Sequence, residues 1–362
     1  VRVLVWELAL AHGLSCREFL LDGYAMVRYL TQLLKSTGAE VTVLVSRDIA
    51  QTIDLPDVKI VPVSSGQSYT MLRELSSMHD VAFLIAPPLE LIRAYRYVRC
   101  EIAGPSFKIV HVLARKDLTY RIAEALDLPV PKYVLVKCPE EAEHVINVVG
   151  LPCVVKPVDS AGCHGIRIVY NEKELHEAIR DVVSESPVGV ALVMEYVNGV
   201  AASCSLVISK NGNVTLSVVN LQYICREDRN FAFCGILSPA SSNITETATI
   251  IVNRIVRELG NSVVGYLNID FVVSSNGIPY IMEVNPRISM SLINISYLYD
   301  MKDLARALLM QDVKPRRTSV MAISLLRKRC LRTVSGLRVL DKVCIPHVDD
   351  EYLIVETSRE FS

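Results

Sequence analysis

The segment Tyr266-Leu-Asn-Ile-Asp270-Phe-Val-Val-Ser-Ser-Asn276-Gly277-Ile-Pro-Tyr-Ile-Met-Glu283-Val-Asn285-Pro-Arg287 carries the strongest chemical signal in the chain. It reads as two apolar strands around an Asn-Gly turn, the strongest short hairpin signal. With Asn276-Gly277 as a two-residue loop, Ser275 pairs with Ile278 and, counting back, Asp270 falls directly opposite Glu283. Asn285, two residues further on, shares their face. Opposed carboxylates in an apolar hairpin repel each other and lose hydration, so either one is protonated or a cation sits between them. Oxygen donors alone suit a hard divalent ion such as Mg²⁺, with Mn²⁺ as a substitute. A plainer reading leaves one carboxylate facing solvent at a strand end. Arg287 directly after the set, and the basic residues upstream, favour the cation.

Such ions normally arrive with phosphates. Lys156 ends an otherwise apolar strand, Val154-Val155-Lys156-Pro157, and a lysine in that place needs an anionic partner, which a triphosphate would supply. The loop Asp159-Ser-Ala-Gly162-Cys-His-Gly165 follows, and its glycines let backbone N–H groups approach phosphate oxygens as a flap. Taken alone, the loop and Lys116 at a helix start are weak signals; a lysine there is ordinarily solvated.

In order and spacing these motifs resemble the ATP-grasp superfamily: Lys116, Val-Val-Lys156-Pro, the flap, Met194-Glu195-Tyr196-Val197-Asn-Gly199, Asn-Ile-Asp270-Phe and Met-Glu283-Val-Asn285-Pro-Arg287. The resemblance covers most of the chain. It implies that Lys116, Lys156, Gly162 and Gly165 meet ATP phosphates, that Glu195, Tyr196 and Val197 form a hinge beside adenine, and that Asp270, Glu283 and Asn285 hold Mg²⁺. Lys156 and Arg287 are then the catalytic residues, with Arg287 steadying an acyl phosphate. Within the superfamily the chain looks most like archaeal tyramine-glutamate ligases of methanofuran biosynthesis, and more distantly like the amino-acid ligase of pyrrolysine biosynthesis. That likeness rests on Asp22-Gly23-Tyr24-Ala25-Met26, on Glu195-Tyr-Val-Asn-Gly with Ser203-Cys-Ser205-Leu, and on Asn285-Pro-Arg-Ile-Ser-Met-Ser291. It implies an ATP-dependent ligase joining a carboxylate, glutamate, to an amine, tyramine. The alternatives are a dipeptide-type ligase, of the D-alanine-D-alanine or lysine type, and a non-catalytic ATP-binding regulator. Related ligases are often dimers, which leaves a homodimer open beside a monomer.

The elements that must position these residues follow an α/β plan. Val1 to Leu10, Glu40 to Ser46, Val58 to Val63 and Asp80 to Ala86 read as strands of a mostly parallel, Rossmann-like layer. Between the first two, Asp22 is placed as the N-cap of a helix over Tyr24 to Lys35. No G-x-G-x-x-G follows the first strand, so a dinucleotide has no support there. Glu7, His12 and Gly13 fall at that strand's C-terminal end, where open α/β sheets place ligands. The expected organisation is an N-terminal Rossmann-like domain over 1–110, a central ATP-grasp subdomain over 111–196, a C-terminal one with the metal over 197–312, and an extension over 313–362. In that extension, Ser319 to Leu326 and Val343 to Val355 read as strands.

Composition sets the limits. The 362 residues hold 38 Lys+Arg against 39 Asp+Glu, a net charge of -1 that argues against a general nucleic-acid binder. Hydrophobic residues make up 51% and mean hydropathy is +0.33, yet Glu7, Glu195 and Asp270 interrupt the apolar runs below spanning length, so no membrane association is expected. The first run lacks a basic leader, and a cytoplasmic protein is expected. Ten cysteines show no C-x-x-C pair and no nearby histidine at zinc spacing, which makes them buried apolar groups in the main. Cys163, in the flap, is read the same way.

Overall fold

A computed structural model describes residues 1–331 and 338–357. Five strands, β1 (Arg2–Glu7), β2 (Glu40–Ser46), β3 (Lys59–Val63), β4 (Val81–Ile85) and β5 (Glu101–Ile102), form a parallel sheet in the order β3-β2-β1-β4-β5. Alternate residues serve two cores: Val3 and Val5 pack with the helix Arg17–Ser36, Leu4 and Trp6 with Leu44 and Leu84 on the other face. A sheet covered on both faces accounts for the unbroken apolar strands.

Two expectations need correction here. The first strand stops at Glu7, whose carboxylate caps the short helix Leu8–His12 by accepting from Leu10 N at 2.7 Å. The next helix begins at Arg17, so Asp22 lies inside it rather than at its N-cap. The amphipathic stripe persists one turn upstream of Tyr24 through Leu20 and Leu21, both buried, which carries the helix back past Asp22.

The central unit has β6 (Tyr133–Val136), β7 (Cys153–Pro157), β8 (Arg167–Val169) and β9 (Ala191–Glu195) in the antiparallel order β6-β9-β7-β8. Helices Ala142–Val149 and Glu172–Glu185 cover one face. The other face carries Val154, Leu192 and Met194, with Met282 of the next unit against them. That next unit holds β10 (Gly199–Ile208), β11 (Val214–Glu227), β12 (Asn230–Ser238), β13 (Gly265–Ser274) and β14 (Pro279–Asn285), in the order β14-β13-β10-β11-β12. A single residue pair, Asn230 with Arg167, links β12 to β8.

The last segment continues this sheet. β15 (Ala322–Arg327) pairs antiparallel with β12, and β17 (Glu351–Thr357) lies between β15 and β16 (Arg338–Cys344). The single strand expected over Val343 to Val355 is therefore two strand ends: Pro346 cannot donate to a ladder and His347 takes a φ of 72°. The extension closes on the helix Arg17–Ser36, where Tyr352 Oη donates to partly buried Asp22 at 2.8 Å and Arg28 meets Asp341 at 3.2 Å. No helix of the described residues is long and apolar enough to cross a membrane.

Candidate active site

Asp270 and Glu283 do stand opposite each other, but the hairpin reaches that register by another route. The turn has three residues, closed by Ser274 N donating to Ile278 O at 2.9 Å, and Gly277 takes the positive φ of 74° that such a loop requires. Val273 thus faces Pro279 and Phe271 faces Ile281, a register that would turn Glu283 to the wrong face. A bulge at Met282 absorbs one residue and restores the pairing of Asp270 with Glu283 and of Asn268 with Asn285. The same bulge takes Met282 out of the ladder, and Lys156 Nζ donates to its carbonyl at 3.2 Å.

Around the carboxylates the polar groups converge. Asp270 Oδ1 accepts from Gln222 Nε2 and from Asn268 Nδ2, both at 2.8 Å, and Oδ2 accepts from Asn285 Nδ2 at 2.9 Å. Glu283 Oε1 accepts from the same Asn285 amide at 3.0 Å, while its Oε2 meets Lys116 Nζ at 3.0 Å. Burial, then the neighbouring Glu283, push the Asp270 carboxyl far up. Burial also acts against the Glu283 carboxylate, but Lys116 and Lys156 outweigh it and hold Glu283 well below the usual range. Asp270 is therefore the carboxyl whose charge lacks a balancing cation, and amide donors alone support it.

Lys116 and Lys156 approach from the central unit. Lys116 also donates to the Ser160 carbonyl, at the base of the flap. Lys156 is buried, with the Tyr120 hydroxyl 3.3 Å away and the Tyr120 ring beneath it, and burial followed by the charge of Lys116 lowers it to about 7. Arg287 donates to the Ile288 carbonyl at 3.1 Å and to Asn285 Oδ1 at 3.4 Å. Burial depresses the guanidinium, and Glu283, Asp270 and Glu7 oppose that shift.

These residues line or back one cavity of about 780 Å³ enclosed by all three units. Gly162 and Cys163 of the flap face it, both in left-handed backbone, and Cys163 is a thiol that burial pushes up to about 12. Gly165 supports the loop from behind: a Cβ there would lie 3.0 Å from the Pro157 ring. His164 reaches the N-terminal helix through Glu18 at 3.5 Å and Phe19. Tyr196 and Val197 line the cavity, whereas the Glu195 carboxylate turns to the Lys132 backbone N–H at 3.0 Å. At the opposite end, Glu7 is buried and burial raises its carboxyl to about 7, against the N–H groups of Leu10 and Ala9 and the charge of Arg287. Gly23 leaves room for it, since a Cβ would sit 2.4 Å from Glu7 Oε2.

Sequence reasoning passed over Gln222, Asn268 and a hydroxyl cluster. Ser205 Oγ lies 2.7 Å from Ser291 Oγ and donates to Asn268 Oδ1, and Tyr266 Oη lies 2.9 Å from Ser291 Oγ. Asn268 carried a signal, because two residues before Asp270 on a strand is the same face. Gln222 carried none, its contact arising from β10 lying between β11 and β13.

Residues 114–291 match the ATP-grasp domain. The N-terminal parallel sheet and the two antiparallel units enclosing one cavity are the ATP-grasp fold. The Helicobacter pylori carbamoyl phosphate synthase large chain is 27% identical over 237 residues, covering 63% of this chain and 21% of that one. The chain spans less than half the length of the curated relatives it matches. Among solved structures, the biotin carboxylase domain dimer of Hydrogenobacter thermophilus 2-oxoglutarate carboxylase, with MgADP and bicarbonate, superposes with TM-score 0.74 at 17% identity, over 98% of this chain and 86% of that one. The L-amino acid ligase of Bacillus licheniformis gives TM-score 0.70 at 16% identity, over 98% and 93%.

Proposed function

We propose that the chain is an ATP-dependent carboxylate-amine ligase, with glutamate as the acid and tyramine as the amine. The observation that carries the reading is the partly buried set Asp270, Glu283, Asn285 and Arg287 facing the buried Lys116 and Lys156 at one cavity. Binding a nucleotide alone does not call for opposed carboxylates followed by an arginine. The Mg²⁺ that the fold implies fits this oxygen set, with Asp270 and Glu283 as ligands and Asn285 once its amide oxygen turns inward. When bound, the ion supplies charge neutralisation to the phosphates.

The chain's own residues do the rest. Lys156 and Lys116 hold the triphosphate, and the flap's N–H groups close on it. Tyr196 and Val197 flank the base beside Met194, a largely apolar wall. Substrate carboxylate oxygen attacks the γ-phosphorus, the bond to the ADP oxygen breaks, and an acyl phosphate forms. Arg287 faces the acyl oxygen as the amine nitrogen adds, and donates to the developing oxyanion. The carbon–oxygen bond to phosphate then breaks, the nitrogen gives up a proton, and an amide, ADP and phosphate leave. Glu7, a buried carboxyl aimed at the substrate end, is placed to accept from an ammonium group. No side-chain nucleophile is needed; catalysis is positioning and charge stabilisation.

An ADP-release screen of amino acids against amines, with the product identified by mass, tests the reading. Release that requires both glutamate and tyramine, with a product at their summed mass less water, is expected. Release that needs neither would refute ligation, and release with two amino acids would redirect it to a dipeptide-type ligase.

A further inference from the structure

Three cysteines with no part in the ligase chemistry meet on the C-terminal sheet. Cys225 lies on β11, Cys234 on β12 and Cys330 at the end of the turn Lys328–Cys330 after β15, and their Sγ atoms all lie within 4.8 Å of one another. They come together although Cys330 is 96 residues from Cys234. The β11–β12 register shifts so that Ile224 faces Phe233 and Tyr223 faces Gly235. Cys234 is thereby the extra residue of a bulge, a device that re-aims a side chain. Its Cα is 5.9 Å from that of Cys225 and 5.6 Å from that of Cys330. Both spacings fall inside the window of roughly 4.4–6.8 Å in which a disulfide closes without backbone movement. A sulfur atom, however, forms one such bond at a time.

We propose that Cys234 is the shared partner of two alternative disulfides, Cys225–Cys234 and Cys234–Cys330, that interconvert by internal thiol–disulfide exchange. In the exchange the Cys330 thiolate attacks the Cys234 sulfur, the Cys234–Cys330 bond forms as the Cys225–Cys234 bond breaks, and the electron pair leaves on the Cys225 sulfur. That sulfur takes up the proton Cys330 lost, so no electron enters or leaves. Forming the first bond from three thiols removes two electrons and two protons, and a low-molecular-weight disulfide accepts them. The two states differ in what they tie down. Cys225 lines the cavity three residues from Gln222, which supports Asp270. Bonding Cys234 to Cys330 anchors the C-terminal extension to β12 and leaves a thiol on the cavity wall. Bonding Cys234 to Cys225 ties the hairpin at that wall and leaves the thiol on the extension. A metal suits the cluster less well, because no histidine or carboxylate joins the three sulfurs among the described residues, one ligand short of a closed tetrahedral site.

The test is disulfide mapping of the full chain, equilibrated in a buffer of oxidised and reduced glutathione, acid-quenched, alkylated and digested. Both linked peptides are expected, with one of the three cluster thiols alkylated per molecule, divided between Cys225 and Cys330. Cys330→Ser should leave only the Cys225–Cys234 link, and Cys225→Ser only the Cys234–Cys330 link. One fixed linkage at every buffer ratio would overturn the exchange, as would alkylation of Cys225, Cys234 and Cys330 together at every ratio. One equivalent of zinc or copper released when the thiols are blocked would overturn it in favour of a metal site.

Discussion

Lys156 shows how the site can take up charge when a ligand arrives. Held down to about 7 by burial and by Lys116, it is mostly neutral at pH 8 in the free protein. A triphosphate beside it favours the charged form, so nucleotide binding without a divalent ion, which would expel the Asp270 proton, should draw in a proton at pH 8. Titration calorimetry with a non-hydrolysable ATP analogue, in two buffers of different ionisation enthalpy, reads this directly; equal heats at pH 8 would remove Lys156 from the phosphate site. In the proposed reaction Arg287 would meet the developing oxyanion, and Asp270 would help hold the Mg²⁺. Arg287→Ala and Asp270→Asn should each lower turnover on the order of 100-fold to 1000-fold with little change in melting temperature. Near-normal rates in either variant would dissociate that residue from the chemistry. Lys156 and Asp270 were legible because each stands in an apolar strand, where an expensive charge is conspicuous, and Arg287 because it directly follows the carboxylate hairpin. Gln222 was not, since an amide on a strand carries no comparable cost.

The hairpin of β13 and β14 illustrates how element-level reading succeeds and fails together. A two-residue turn was expected and a three-residue turn formed, yet a bulge at Met282 returned Asp270 to Glu283. A bulge has no composition signature of its own, so sequence could not supply it, whereas the period-2 alternation that makes the face was plain. Helix ends failed in the same manner at Asp22, where a favourable capping residue lay within an amphipathic stripe that ran on past it. The join between β13 and the N-terminal sheet is a further case. Gly265 has a φ of 82°, and a Cβ there would lie 2.7 Å from the Gly104 Cα. Gly265→Ala should cost about 1–2 kcal/mol for the backbone alone, with the collision added. Urea unfolding measures it, and an unchanged midpoint would show that the two backbones do not approach as described.

Across the whole molecule, the alternation of strands and helices announced the N-terminal layer, and the ordered motifs announced the rest. The last strands were not placed, because pairing of β15 with β12 spans more than eighty residues and leaves no local pattern. Their role is to lock the extension onto the helix Arg17–Ser36. Tyr352→Phe removes the hydroxyl donor from the partly buried Asp22 carboxyl, which should cost about 1 kcal/mol in chemical denaturation. No change would mean that Asp22 finds another donor. The cavity, with Lys156 and the carboxylates at one end and Glu7 at the other, has the two ends that the proposed two-substrate ligation calls for. Its most direct test follows an oxygen atom. Glutamate labelled with ¹⁸O in its carboxylates, incubated with ATP and tyramine, should yield inorganic phosphate carrying one ¹⁸O per turnover, as an acyl phosphate requires. Unlabelled phosphate formed at the same rate, or formed without the amine, would contradict it.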